Sequence, residues 1–100
     1  MTDGFVGRDL ISIKDISRHD IEEVLGLAER MSKRNRLDIA YDKLATLFFF
    51  EPSTRTRLSF EAAMYRLGGH CLSIHDVRST SLEKGESLSD TFKILDSYGD

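Results

Sequence analysis

The segment Phe49-Phe50-Glu51-Pro52-Ser53-Thr54-Arg55-Thr56-Arg57 concentrates groups that could do chemistry. Hydroxyls at Ser53, Thr54 and Thr56 stand among guanidinium groups at Arg55 and Arg57. The planar fork of arginine matches the oxygens of a phosphate or carboxylate. Leu44–Phe50 before it is an apolar run broken only by Thr46, without alternation, and reads as a strand buried on both faces. Pro52 and Ser53 stop that strand and a helix begins. Ligands of open α/β sheets bind at such strand-to-helix turns, where unpaired backbone N–H groups and the positive end of the helix dipole face outward. A cation in a first helical turn costs about 0.3–1 kcal/mol, so two arginines there need a reason. An anion at the helix start supplies one, with dipole, amides, hydroxyls and guanidinium groups all converging on it. The plain alternative is a Ser/Thr cap whose arginines face solvent. The chain has no Gly-x-x-x-x-Gly-Lys-Ser/Thr spacing and no glycine in this turn, so neither a mononucleotide loop nor a dinucleotide fingerprint is present.

A second polar stretch, Ser79-Thr80-Ser81-Leu82-Glu83-Lys84-Gly85-Glu86-Ser87, follows the next strand and leaves the sheet at the same end. Its hydroxyls and Lys84 could approach the same anion; taken alone, it also reads as a surface loop capping the last helix. Other candidates are weaker. His70 beside Cys71 is not a zinc constellation, Cys71 packs in a strand, His19 is solvated, and His75-Asp76 leads into the loop. No Ser/His/Asp triad or acid/base carboxylate pair follows from the spacings, and no metal ligand set is expected.

Positioning these groups requires helix, strand, helix, strand, helix. Ser17 caps the first helix, with Asp20 as its capping-box partner and Ile21, Val24, Leu25, Ala28 and Met31 as its apolar stripe. Arg30, Lys33, Arg34 and Arg36 crowd its negative end and read as a solvated helix terminus. The second helix covers about Ser53 to Leu67, with Phe60, Ala63, Met64 and Leu67 inward, and Gly68-Gly69 ends it. His70–Ile74 is the second strand. The last helix runs from about Glu86 to Tyr98 with Leu88, Phe92 and Leu95 inward. Strand–helix–strand at this spacing gives a parallel pair. The fold class is therefore α/β, a parallel sheet flanked by helices in a Rossmann-like three-layer arrangement. Two strands make a poor parallel sheet, so these residues are expected to open a longer protein.

Composition bounds the partners. The chain has 100 residues, 14 Lys+Arg against 17 Asp+Glu, and a net charge of −3. A mildly acidic chain with a local cluster at Arg55, Arg57 and Arg66 suits a small anion better than nucleic acid or an anionic membrane. The longest apolar run is far short of the roughly 18 residues of a spanning helix. Asp3 and Arg8 fall where the apolar core of a secretory leader would sit, and the single Cys71 fits a reducing, cytoplasmic compartment.

Phe50-Glu51-Pro52-Ser53-Thr54-Arg55-Thr56-Arg57-Leu58-Ser59-Phe60-Glu61 closely resembles the carbamoyl-phosphate motif of the aspartate/ornithine carbamoyltransferases. The resemblance continues through Met64-Tyr65-Arg66-Leu67-Gly68-Gly69 and resumes at Ser79-Thr80-Ser81 and Lys84-Gly85-Glu86-Ser87-Leu88-Ser89-Asp90-Thr91. Ile11-Ser12-Ile13, Asp15 and Ser17 suit the opening of the same family. Leu58-Ser59-Phe60-Glu61 and the Ser81/Lys84 loop look like its aspartate branch. The resemblance implies that residues 1–100 are the N-terminal portion of a carbamoyl-phosphate-binding domain. It also implies that the aspartate-binding domain, and further catalytic groups on an Arg and a His-Pro segment, lie beyond Asp100. The 100-residue chain alone is then expected to be inactive. By resemblance, Ser53, Thr54, Arg55, Thr56, Ser81 and Lys84 bind carbamoyl phosphate, and Arg55, Thr56 and Lys84 are catalytic. Thr56 reaches toward the carbonyl oxygen, while Ser81 and Lys84 enter the site of a neighbouring subunit. The implied partners are carbamoyl phosphate, L-aspartate and a homotrimer of catalytic chains, with or without regulatory chains; no cofactor is implied. The implied reaction is carbamoyl transfer to the aspartate amine in pyrimidine synthesis. Two alternatives remain: a non-catalytic phosphate-binding or assembly module, and the ornithine branch of the family.

Overall fold

A computed structural model describes residues 3–34, 37–50, 52–74 and 88–100. They fall in two units, Met1–Asn35 and Arg36–Asp100.

The first unit holds short 3-10 turns at Asp3–Phe5 and Ile13–Asp15 and then helix α1, Arg18–Ser32. The capping box at its start forms as expected. The Asp20 amide donates to Ser17 Oγ and the Ser17 amide to Asp20 Oδ2, both at 3.0 Å, so two otherwise orphaned helix-end donors are satisfied. Arg8 braces this corner. Its guanidinium lies 3.2 Å from Asp20 Oδ2, donates to the Asp15 carbonyl at 2.6 Å and sits 5.3 Å from the centre of the Phe5 ring. The Ser17 N–H, aided by Arg8 and opposed by partial desolvation, holds the Asp20 carboxyl below its ordinary value. The apolar stripe has helical spacing, yet Ile21, Val24 and Leu25 are 37%, 43% and 64% exposed. Arg30, Lys33 and Arg34 face solvent at the far end; Arg36 lies outside the described residues.

The second unit runs β1 (Leu44–Phe48), α2 (Thr54–Arg66), β2 (His70–Ile74) and α3 (Leu88–Tyr98). The strands pair in parallel, from Leu44 opposite His70 to Phe48 opposite Ile74. The Phe49 amide adds one bond to the Ile74 carbonyl, and β1 stops two residues before the expected Phe50. Side chains alternate between faces. Ser73 bonds to Glu61 of α2, so Ala45, Leu47, Cys71 and Ser73 share the α2 face. Phe48 stacks at 5.2 Å on Phe92 of α3, which assigns Thr46 and Phe48 to the other face. Helices thus flank both sides of the parallel pair, the expected α/β arrangement.

Two expectations about burial need correction. Strand β1 is half-buried along its whole length rather than sealed on both faces. The inward stripe of α2 is Arg57, Glu61 and Met64, whereas Phe60 is 57% exposed and Ala63 also faces solvent. The polar pair lies on the face toward β2, where Ser73 offers the Glu61 carboxylate a hydroxyl. Among the described residues only Leu95, Thr91 and Gly69 are buried. Of the inward set expected for α3, Leu95 is buried, while Leu88 and Phe92 stay 40% and 45% exposed.

The ends of these elements are tied tightly. Gly68 has φ +89°, a left-handed stop that a side chain resists. A Cβ at Gly69 would meet the Met64 methyl and come within 3.0 Å of the Ala40 carbonyl and 3.1 Å of the Lys43 carbonyl. Asp100 closes α3 onto β1: its amide donates to the Leu44 carbonyl at 2.9 Å, and its Oδ2 accepts from the Leu44 amide at 2.8 Å.

Candidate anion-binding site

Helix α2 follows the carboxyl end of β1, and its first turn gathers the donors singled out in the sequence. Ser53 occupies the N-cap with φ −142° and ψ 67°, and its carbonyl accepts the first helical bond, from the Arg57 amide at 2.9 Å. The amides of Thr54, Arg55 and Thr56 therefore precede the helical ladder and have no helical acceptor. A serine at this position usually spends its hydroxyl on those amides. Ser53 does not; it makes no side-chain cap bond, in contrast to Ser17 at the start of α1. The first turn of α2 also contains no acidic residue. Open amides, three hydroxyls and the dipole's positive end thus meet no acidic residue within the first turn itself.

The two arginines separate. Residues 55 and 57 are about 200° apart around a helix, so both cannot face one ligand. Arg55 is exposed and makes no side-chain hydrogen bond or ion pair among the described residues. Arg57 turns inward: its Nη1 lies 3.3 Å from Glu61 Oε1 and 3.4 Å from Oε2, with the two side chains only 22% and 20% exposed. The expectation that both guanidinium groups converge on one anion is thus corrected; Arg57 is already paired. Glu61 also accepts a bond from Ser73 Oγ at 2.6 Å. Sequence reasoning missed this role of Glu61 and Ser73. The four-residue spacing of Arg57 and Glu61 was the available signal.

The remaining sequence-level candidates divide simply. Ser53, Thr54, Arg55 and Thr56 come together at the start of α2. Ser81 and Lys84 lie outside the described residues, as do Glu51, His75 and Asp76. Cys71 is a free thiol on the α2 face of β2, pushed up in pKa by burial and then by the Glu61 charge. His19 is solvated, 78% exposed beside Glu23. Among the described residues no group of three or more His, Cys, Asp or Glu is placed to hold a metal, and no helix is long and apolar enough to cross a membrane. A groove of about 780 Å³ between β1 and α3, lined by Thr46, Phe48, Phe92 and Leu95, is mostly apolar and lies on the face opposite α2.

A parallel α/β unit with a donor-rich turn at the carboxyl end of a strand defines the class. The sequence model of the family described as "Aspartate/ornithine carbamoyltransferase, carbamoyl-P binding domain" matches residues 8–100. The chain belongs to the aspartate/ornithine carbamoyltransferase family. It is similar to the aspartate carbamoyltransferase catalytic subunit of Thermococcus onnurineus, 52% identical over 98 residues, covering 94% of this chain and 32% of that one. The corresponding subunit of Thermococcus kodakarensis is 53% identical with the same coverage. Among solved structures, aspartate transcarbamoylase from Trypanosoma cruzi, in complex with carbamoyl aspartate and phosphate, superposes with a TM-score of 0.85 at 40% identity. That superposition covers 94% of this chain and 31% of the other. The catalytic subunit of M. jannaschii aspartate transcarbamoylase gives 0.79 at 47% identity, covering 91% and 31%. The chain thus spans about a third of the length of the relatives it matches.

Proposed function

We propose that the turn from Ser53 to Thr56 holds the phosphate of carbamoyl phosphate, in a protein that transfers the carbamoyl group to the amine of L-aspartate. In this reading residues 1–100 form the N-terminal portion of the carbamoyl-phosphate-binding domain, and the acceptor site belongs to a separate domain. The observation that carries it is the set of donors at the start of α2 that have no acceptor among the described residues: the Ser53 hydroxyl, which makes no cap bond, the amides of residues 54–56 and the Arg55 guanidinium. Similarity to the T. cruzi enzyme, whose structures include complexes with carbamoyl phosphate and with aspartate, supports the choice of anion and acceptor.

The chemistry follows from charge. The aspartate amine attacks the carbamoyl carbon, forming a C–N bond. The carbonyl oxygen gains negative charge, and the C–O bond to phosphate then breaks with the electron pair leaving on phosphate, which takes up the proton that the attacking amine gives up. Donors fixed before the reaction lower the cost of both developing charges. Arg55 and the open amides face the leaving phosphate, and Thr56 reaches toward the carbonyl oxygen. Holding amine and carbonyl in line supplies the remaining advantage. Ser81 and Lys84 complete the cradle from a neighbouring subunit of a trimer. The product, N-carbamoyl-L-aspartate, serves pyrimidine synthesis in the cytoplasm, a compartment suited to the free Cys71 thiol.

Calorimetric titration of carbamoyl phosphate into the wild-type protein and Arg55→Ala tests the site. Saturable binding that the substitution weakens supports it, and equal affinity removes Arg55 from it. Product assays on the full-length protein test the transfer. Turnover with ornithine alone would place the chain in the other branch of the family, and binding without turnover on either acceptor would leave a phosphate-binding or assembly module.

A further inference from the structure

The anion turn is connected to the neighbouring strand by an unbroken chain of polar contacts. The Ser53 carbonyl accepts the Arg57 amide at 2.9 Å, the Arg57 guanidinium lies 3.3 Å from Glu61 Oε1, and that same oxygen accepts the Ser73 hydroxyl at 2.6 Å. Ser73 stands one residue before the end of β2. Arg57 thus holds the N-cap through its backbone and strand β2 through its side chain. All the side-chain members are half-buried, where polar contacts are stronger than in water and costly to break.

We propose that Glu61 and Ser73 are positioning residues for the anion turn. Glu61 draws the Arg57 guanidinium down one helical turn, onto a carboxylate that β2 holds through Ser73. This anchors the first hydrogen-bonded residue of α2 and fixes where the Ser53 hydroxyl and the amides of residues 54–56 point. It also leaves Arg55 as the cation at the mouth. Anion recognition by oriented donors depends on such placement, since errors of a fraction of an ångström weaken several bonds at once. This inference rests on the proposed anion site, but its first test does not require a ligand.

The test uses Ser73→Ala, which keeps the ion pair, Ser73→Thr, which keeps the hydroxyl, and Glu61→Gln, which removes the charge but can still accept from Ser73. Amide hydrogen exchange at Arg57 in the ligand-free protein should quicken about three- to tenfold in Ser73→Ala and in Glu61→Gln, and return to within about twofold of wild type in Ser73→Thr. Affinity for carbamoyl phosphate, measured well below each variant's melting temperature, should fall by about the same factors with the same rescue. Unchanged Arg57 exchange in both weakened variants overturns the proposal. So does a lowered melting temperature with carbamoyl phosphate affinity intact, because that marks a merely structural contact. Failure of the wild-type protein to bind carbamoyl phosphate while the exchange pattern holds refutes the anion assignment instead and leaves the anchoring of Arg57 standing.

Discussion

Replacing Arg55 with Ala should change affinity and stability in opposite directions. Arg55 is exposed, has no partner among the described residues and lies in the first turn of α2, where a cation opposes the dipole. Its removal should leave fold stability unchanged or raise it by about 0.3–1 kcal/mol. Its contacts to the ligand are of another order. Hydrogen bonds involving a charged group contribute about 1.5–3 kcal/mol each, and a guanidinium can give a phosphate two of them in parallel. Allowing for solvent at an open mouth, a loss of about 2–4 kcal/mol is reasonable, or roughly 30- to 1000-fold in Kd. Urea unfolding supplies the stability arm and calorimetry with carbamoyl phosphate the affinity arm. Arg57→Ala is the internal control. It should lower stability by about 1 kcal/mol, because it removes the cation paired with a half-buried carboxylate. The reasoning is refuted if Arg55→Ala unfolds at markedly lower urea while binding carbamoyl phosphate as tightly as the wild type.

Three further outcomes follow from the geometry. Gly68→Ala should cost about 1–2 kcal/mol in urea unfolding, because φ +89° is left-handed and the new Cβ would lie 3.1 Å from Asp38 Cα. Asp20 has a lowered carboxyl pKa, so its contribution to α1 is present above the ordinary carboxylate range and is lost as pH falls through the depressed value. An NMR titration from roughly pH 5 to pH 2 should show Asp20 protonating after the exposed carboxylates, and Asp20→Asn should abolish that late step. Cys71 has a raised thiol pKa, so it should alkylate more slowly than a free cysteine peptide at about pH 8.5. Stability should decline as pH rises past the free-thiol value, and Glu61→Gln should speed alkylation by removing one cause of the shift.

The elements were legible in the sequence because their signals are local. The Ser17/Asp20 capping box, the Gly68 stop and the span of β2 all appear where spacing and residue type put them. The placement of Ser53 to Thr56 at the mouth of a strand-to-helix turn was legible for the same reason. Burial was not, because it depends on partners distant in the chain. An apolar run broken only by Thr46 suggests a strand sealed on both faces, but α3 meets β1 while Leu72 on β2 remains 43% exposed. Arg57 shows the same limit within the site. By residue type it is interchangeable with Arg55; the Ser73 hydroxyl, brought near by the parallel pairing, bonds Glu61, and Glu61 pairs with the inward-facing Arg57. Sequence pattern could identify a turn rich in donors but could not say which arginine was already committed.

The most direct measurement of the central claim is a crystal structure of the protein with carbamoyl phosphate. The account predicts phosphate oxygens about 2.7–3.2 Å from the amides of residues 54–56, with the Ser53 hydroxyl and the Arg55 guanidinium closing on the same group. A saturated crystal in which that turn holds no phosphate, or in which Arg55 extends into bulk solvent while the ligand binds elsewhere, would contradict it.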